Sequence, residues 1–267
     1  MTPKLFPMLV TAIFLSLFAS PSPAKAAAGD NPDYEMESNS LTNKVRSYDL
    51  RVKSMETLVS NYPDKVFPIL VNLLKDPQEK PAFRYLAAER LQRVNPARAG
   101  KVFRDFLENR TEDPFARRTA ISQLVSLKEG YIKQKIRDIL DDPREDPAIR
   151  QYALAIYSDW NEKGKIEKLR GFVRSPRETL SLRTNALFLL ESLGDSEFVL
   201  ESIRRILNDK TEPEELRRNS IIMAQRMNNP EILTLLKKMA QDGRESARLR
   251  EFAKASLASS KSQAESS

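Results

Sequence analysis

The acidic residues that could bind a metal ion are concentrated in one short stretch of this 267-residue chain. Asp141, Asp142, Glu145 and Asp146 lie close together, and carboxylate oxygens are the ligands that Ca²⁺ prefers in proteins. An aspartate directly before a proline is also typical of a solvent-exposed helix start. We therefore predict that this stretch forms the start of a helix and that the protein binds no metal ion and no cofactor.

Residues for nucleophilic or acid–base catalysis are scarce. The chain contains no His and no Cys, which excludes the usual proton shuttle, thiol chemistry, disulfides and zinc sites of the His/Cys kind. Its one S-x-x-K pair, Ser22 and Lys25, lies near the N-terminus, and the G-x-S-x-G, Walker and H-E-x-x-H motifs are absent. We therefore expect a protein that is not an enzyme.

The elements that would position a site are repeated along the chain. An arginine recurs with steps of 33 or 34 residues, and we use it as the anchor of each repeat. The anchors are Arg51, Arg84, Arg117, Arg150, Arg183, Arg217 and Arg250. Apolar residues stand one position before the anchor (−1), small residues three after it (+3), and mostly leucine seven after it (+7). This spacing places all three positions on one face of a helix.

A second apolar stripe precedes each anchor from Arg84 onward, as in Leu70, Leu73 and Leu74. Pro-bearing loops separate the two stripes, and Gly or Asn-Pro follows most anchored helices. Neither helix of such a unit can bury its stripe alone, so the units must stack. The sequence predicts an all-α fold, an α-solenoid of about six helix pairs plus an N-terminal capping helix.

The repeated pattern is an apolar helix such as "IRDILDD", a Pro-bearing loop, and then an apolar residue followed by R-x-x-A-x-x-x-L. It resembles the HEAT repeat, in the short variety known from phycobilisome lyases, over residues 41–258. The resemblance implies that the anchored helices line the concave face. It also implies that the anchor arginines are structural and pair with acids or loop carbonyls of adjoining repeats. The acids we considered for this pairing stand at −8 or −4 and change position between repeats, so the partners stay open.

Candidate binding residues lie on the free face of the anchored helices, at positions +1, +5 and +8. Exposed aromatic and arginine side chains are favoured in protein interfaces. The candidates are Tyr85, Arg118, Gln151, Thr184, Phe188, Arg218 and Ile222. The alternative is that curvature packs these side chains against the next repeat.

The N-terminal segment has the form of a signal peptide: Lys4, a 15-residue apolar run, and the A-x-A site Ala24–Ala26. We predict cleavage of residues 1–26, a disordered linker at 27–40, the solenoid at 41–258 and a disordered tail at 259–267. The protein would then be exported, periplasmic or secreted, although retention of the segment as an anchor is an alternative. The mature chain would have no transmembrane segment.

A binding function follows from these features. We expect an exported scaffold that binds a protein or peptide on its concave face. Two alternatives stay open: an enzyme like the bilin lyases, and a peripheral binder of anionic envelope surfaces. Removing residues 1–26 lowers the formal charge of +7 by two, and the remaining charges are interspersed. Interspersed charge and export both argue against nucleic acid as a partner.

Overall fold

The computed structural model describes residues 32–128, 130–227 and 229–265. Within these ranges the chain forms fourteen α-helices and no strand. The helices are α1 (Pro32–Thr42), α2 (Tyr48–Asn61), α3 (Pro63–Lys75), α4 (Pro81–Val94), α5 (Pro96–Glu108), α6 (Pro114–Ser126), α7 (Gly130–Asp141), α8 (Pro147–Asp159), α9 (Lys165–Arg174), α10 (Leu180–Ser192), α11 (Ser196–Asn208), α12 (Glu214–Met227), α13 (Pro230–Gln241) and α14 (Ala247–Glu265).

Each odd-numbered helix packs against the even-numbered helix that follows it, which gives seven stacked pairs in the described part of the chain. The even-numbered helices also pack closely against one another from α4 to α14, whereas neighbouring odd-numbered helices approach each other less. The row of even-numbered helices is therefore the inner, concave side of the solenoid. The predicted all-α solenoid is confirmed.

The helix ends follow from local sequence. Asp113 and Asp146 cap α6 and α8, because their carboxylates accept hydrogen bonds from backbone N–H groups of the first turn, and a proline follows each cap. At the end of α10, Gly194 has φ +83°, and the N–H of Asp195 donates to the carbonyl of Leu190 at 3.0 Å. This left-handed glycine reverses the chain towards α11.

The core is one continuous layer between the two rows of helices. The residues of the upstream stripe, such as Leu70, Phe103 and Ile136, are fully buried. The small residues at position +3, such as Ala87 and Ala153, are also fully buried, and their small size allows neighbouring helices to approach closely. No pair has a core of its own, which is the property of a repeat protein.

The structure corrects the predicted ends of the solenoid. The predicted linker 27–40 is helical from Pro32, because α1 packs against α2 and buries Ser40 and Leu41 there. The predicted lone capping helix is thus the second member of a complete pair. The predicted disordered tail is also helical as far as Glu265, as the end of α14. The predicted signal peptide, 1–26, and residues 27–31 lie outside the described residues.

Membrane-spanning helices are absent from the described ranges, where no helix combines the length and the apolar composition that a bilayer crossing requires.

Candidate functional site

The candidate binding residues all lie on the even-numbered helices that line the concave side, but their exposure differs. Tyr85, Arg118 and Ile222 are exposed to solvent. Gln151, Phe188 and Arg218 are half-buried, and Thr184 is buried. The free face inferred from helical periodicity therefore coincides with the exposed surface in the first repeats and only partly in the later ones.

Two later candidates are covered by the next helix. Asn219 of α12 lies against Thr184, with its Nδ2 donating to the Thr184 hydroxyl at 3.4 Å. The guanidinium of Arg226 lies 5.9 Å from the centre of the Phe188 ring. The prediction that Thr184 is available on the free face is wrong, because Asn219 of α12 covers its short side chain.

Three candidates form a continuous set, which we call the concave row: Tyr85, Arg118 and Gln151. They occupy position +1 of three successive repeats, on α4, α6 and α8. Within the described part of the chain, none of the three side chains makes a hydrogen bond or an ion pair. One turn further along α6 and α8 stand Ser122 and Ala155, whose small side chains leave the surface beside the row open.

Polar contacts between helices border the concave row. Glu56 of α2 accepts hydrogen bonds from Arg90 and Arg93 of α4 at 2.6 and 3.1 Å. Gln92 of α4 donates to the Ser126 hydroxyl of α6 at 3.4 Å. These contacts fix the neighbouring helices relative to each other and leave Arg118 as the unpaired charge of the row.

A separate pocket surrounds Arg218 near the C-terminal end of the concave side. Its volume is about 390 Å³, and it is lined by Glu214, Glu215, Arg218 and Arg248. Arg218 lies 3.8 Å from Glu215, and Arg248 lies 3.8 Å from Glu214, so neither pair is within hydrogen-bond distance. The opposite charges leave this pocket close to neutral.

The anchor arginines are buried between the repeats. Arg51, Arg117 and Arg217 are each only 2–5% exposed. Each of these guanidinium groups donates to a backbone carbonyl ten residues earlier, at the end of the odd-numbered helix of the same pair. Each also donates to a glutamate 28 residues later, in the loop of the next repeat. The same arrangement recurs at Arg150 and Arg183. Each arginine therefore connects two successive repeats.

The partner glutamates were missed by the sequence reasoning. They are Glu79, Glu145, Glu178, Glu212 and Glu245. A glutamate stands at position −5 before every anchor from Arg84 to Arg250, and this regularity was visible in the sequence. Spacing within one repeat does not reveal the pairing, because five of these six glutamates pair with the anchor of the preceding repeat rather than with their own. We call these arginines and glutamates the inter-repeat ladder.

Two carboxylates of the ladder, Glu145 and Glu245, are held in their charged form. Burial by itself would raise the pKa of Glu145, but hydrogen bonds from Arg117 and from the backbone N–H of Asp146 outweigh it, and the pKa lies below its ordinary value. At Glu245 the hydrogen bond from Arg217 is the largest effect and lowers the pKa against the opposing effect of burial. Arg117 with Glu145 and Arg217 with Glu245 are therefore buried ion pairs near neutral pH.

Two anchors depart from the pattern. Arg84 pairs with Asp113 at 2.6 Å, although the contact lacks the angle of a hydrogen bond, and its guanidinium lies 4.7 Å from the centre of the Phe115 ring. Arg250 is only half-buried and donates to the carbonyls of Gly243 and Glu245. No repeat follows Arg250 in the described residues, so no loop glutamate reaches it.

The acidic stretch at the start of α8 is fully engaged with protein groups. Glu145 belongs to the ladder, Asp142 accepts from Arg110, and Asp141 accepts from Lys168 at 2.7 Å. Asp146 caps α8. Among the described residues no group of three or more acidic side chains is arranged to bind a metal ion.

Comparison with known proteins gives structural likeness alone. No family model and no curated protein matches the chain. Human deoxyhypusine hydroxylase, solved in complex with glycerol, is 14% identical with a TM-score of 0.37, and the match covers 86% of this chain and 96% of that one. YibA of Escherichia coli is 15% identical with a TM-score of 0.43, over 87% of this chain and 88% of that one. Both are helical repeat proteins.

This comparison corrects one expectation from the sequence. We predicted that the chain is not an enzyme, but a similar solved structure is that of an enzyme, deoxyhypusine hydroxylase. The absence of His, Cys and familiar catalytic motifs does not by itself exclude catalysis, because a fold does not determine a function.

Proposed function

We propose that this chain is a HEAT-like repeat protein whose concave row binds an extended segment of a protein or peptide partner. The observation that carries the proposal is the set of three unpaired side chains, Tyr85, Arg118 and Gln151, at equivalent positions of adjacent helices. An aromatic ring and a guanidinium are among the groups that contribute most to recognition, and an amide can both donate and accept hydrogen bonds.

The spacing of the row supports an extended partner. Packed helices lie about 8–10 Å apart, so the row spans roughly 16–20 Å. An extended chain rises about 3.3 Å per residue, and five or six of its residues would cover that span. Ser122 and Ala155 beside the row leave room for a backbone to approach the helices.

The charge of the row supports an acidic group at the centre of the bound segment. Arg118 is exposed and has no carboxylate partner among the described residues. Glu56 near the row is already engaged by Arg90 and Arg93. A carboxylate of the partner would form a charge-assisted hydrogen bond with Arg118, and such bonds contribute about 1.5–3 kcal/mol.

The test begins with a peptide selected from a random library on the purified protein. Replacement of Arg118 by Gln should weaken binding of a selected acidic peptide about 10- to 100-fold, the equivalent of the lost charge-assisted bond. Arg177→Gln is the matched control, because Arg177 is an exposed arginine in the loop before α10, away from the row. Equal affinities for the wild-type protein and the Arg118→Gln variant would contradict the proposal.

We further propose that the protein is exported and acts outside the cytoplasm. The support is the sequence of residues 1–26, with its apolar run and A-x-A site. Intact mass and N-terminal sequencing of protein recovered from the periplasm should give a chain that begins near Ala27. Full-length protein in the cytoplasm would argue against export.

A further inference from the structure

The N-terminal end of the solenoid exposes apolar side chains, which we call the end patch: Met36, Val45 and Leu50. These are three of the seven large apolar side chains that are exposed in the described residues. Val45 is 94% exposed at the tip of the loop between α1 and α2, and Leu50 is 50% exposed in the first turn of α2. The end patch is therefore the main apolar surface that the described chain leaves uncovered.

The other repeats show what this surface lacks. Leu50 stands at position −1, and the corresponding residues of the later repeats, such as Phe83, Ile149 and Leu249, are 0–1% exposed. In those repeats the preceding pair of helices covers the position. In the first repeat no preceding pair exists within the described residues, so Leu50 remains at the surface.

The opposite end of the solenoid is closed in the ordinary way. Through Ser259, as far as exposure is described, α13 and α14 expose no large apolar side chain, and their outer surfaces carry residues such as Lys237, Lys238 and Lys254. A polar outer face on terminal repeats is what keeps a solenoid from associating through its ends. The N-terminal end lacks such a face.

We propose that the end patch is the dimerisation surface of this protein, covered by the end patch of a second copy across a two-fold axis. Such an isologous interface requires a surface that is complementary to itself. The charges around the end patch meet this requirement. Helix α1 carries Asp33, Glu35 and Glu37 and no basic residue, whereas the adjoining loop carries Lys44 and Arg46.

A two-fold arrangement brings the acidic helix of one copy to the basic loop of the other. Arg46 is exposed, and its side chain has no ion-pair partner within the described chain. Lys44 pairs with Asp76 at 2.5 Å and remains 43% exposed, so it still contributes positive potential at the loop. Opposite potentials at both edges of the patch favour one orientation of the two copies.

Head-to-tail stacking of copies is disfavoured by the inter-repeat ladder. A following repeat would have to offer the last anchor, Arg250, a glutamate at position −5. The first repeat has Arg46 at that position. Two guanidinium groups would then meet where every other junction pairs opposite charges.

A bilayer is a poorer occupant than a second copy. An anionic lipid surface attracts clustered lysine and arginine. Helix α1 would bring Glu35 and Glu37 to that surface beside Met36, and these carboxylates would be repelled. The same carboxylates are favourable next to Arg46 of a second copy.

The test uses protein expressed from the complete sequence, recovered as the cell processes it, with its N-terminus read from the intact mass. Sedimentation velocity between roughly 1 and 100 µM should show a concentration-dependent dimer. Leu50→Glu should raise the dissociation constant at least tenfold, since each dimer loses the contact twice. This variant should fold, because Ser47 caps α2 and a glutamate three residues later completes a capping box.

Leu193→Glu is the matched control, because Leu193 is 41% exposed but lies far along the chain, at the end of α10. It should dimerise like the wild type. A wild-type protein that stays monomeric throughout this range would overturn the proposal, and so would an unchanged dimer in Leu50→Glu. Binding of the monomer to anionic vesicles, abolished by Leu50→Glu, would assign the end patch to a membrane instead.

A charge exchange tests the two-fold arrangement. Lys44→Gln with Arg46→Glu makes the loop and α1 both acidic, and Glu35→Lys with Glu37→Lys makes both basic, so each double variant alone should be mainly monomeric. An equimolar mixture should form heterodimers, because each acidic element then meets a basic one in both places. Failure of the mixture to associate, with both variants folded, would overturn the proposed geometry.

Discussion

The inter-repeat ladder can be tested by removing one carboxylate from it. In Glu145→Ala, the guanidinium of Arg117 loses both of its contacts to Glu145, at 2.7 and 2.8 Å. Arg117 is 2% exposed and keeps only the carbonyl of Leu107 as an acceptor, at 3.2 Å. The variant therefore leaves a buried positive charge without a counter-ion between the third and fourth pairs of helices.

The expected loss of stability is large for a single substitution. Breaking a buried ion pair by removing one partner costs about 3–5 kcal/mol. For a domain of this size each kcal/mol lowers the unfolding temperature by about 2–4 °C, so we expect a decrease of roughly 6–20 °C. Asp141→Ala is the control, because Asp141 pairs with Lys168 while its side chain is 64% exposed. Loss of an exposed pair should cost at most about 1 kcal/mol.

Thermal unfolding followed by circular dichroism measures the overall effect, and hydrogen exchange locates it. Because each repeat contacts only its neighbours, the amides of α6 and α8 should lose protection first, ahead of those in α2 and α12. In the double variant Arg117→Met with Glu145→Ala, the unpaired charge is gone, and the protein should be more stable than Glu145→Ala alone.

Two results would refute this reasoning. Equal destabilisation by Glu145→Ala and by Asp141→Ala would show that burial of the pair has no energetic consequence. A double variant no more stable than Glu145→Ala would show that the uncompensated charge of Arg117 is not the cause of the loss.

Further predictions concern pH, backbone conformation and capping. Burial raises the pKa of Glu79, but the hydrogen bonds from Arg51 and from a backbone N–H outweigh it, so the pKa lies below its ordinary value. The contribution of this carboxylate to stability should therefore be complete above about pH 5 and disappear as the pH falls through the lowered pKa. Acid titration of the unfolding midpoint would show this loss. Gly194→Ala should destabilise the protein by about 1–2 kcal/mol in urea unfolding, because φ at this residue is +83°. Gly171→Ala lies inside α9 with open space around the new methyl group, and it should stabilise the protein by about 0.5–1 kcal/mol. Asp146→Ala should cost about 0.5–2 kcal/mol through loss of the α8 cap, measured in the same way, and an unchanged midpoint would contradict that role.

The repeat made the architecture predictable from the sequence. A buried stripe must return at 3.6-residue spacing, and a helix that buries only one face needs a neighbour. The burial of residues such as Ala153 and Leu70 was therefore predictable from their spacing alone. The same reasoning failed for α1, whose sequence has no clear apolar stripe and is helical because Ser40 and Leu41 pack against α2.

The candidate site was only partly predictable for a related reason. Helical periodicity tells which face of α10 points away from its own core, but it does not tell how closely α12 approaches that face. Thr184 and Tyr85 hold the same position in their repeats, yet the first is buried and the second is exposed. The size of the side chain and its contact with the next helix decide between them: Asn219 of α12 covers the short Thr184, whereas the larger Tyr85 stays 38% exposed.

The sequence by itself determined the helices, their pairing and the positions of the buried arginines, because these depend on short spacings within one repeat. The tertiary structure alone decided which glutamate meets each arginine, which candidate residues remain open on the concave side, and that the N-terminal end exposes an apolar surface. Those outcomes depend on contacts between residues about thirty positions apart, or on the lack of a preceding helix pair within the described residues. No local pattern of residues specifies how the repeats are placed against each other.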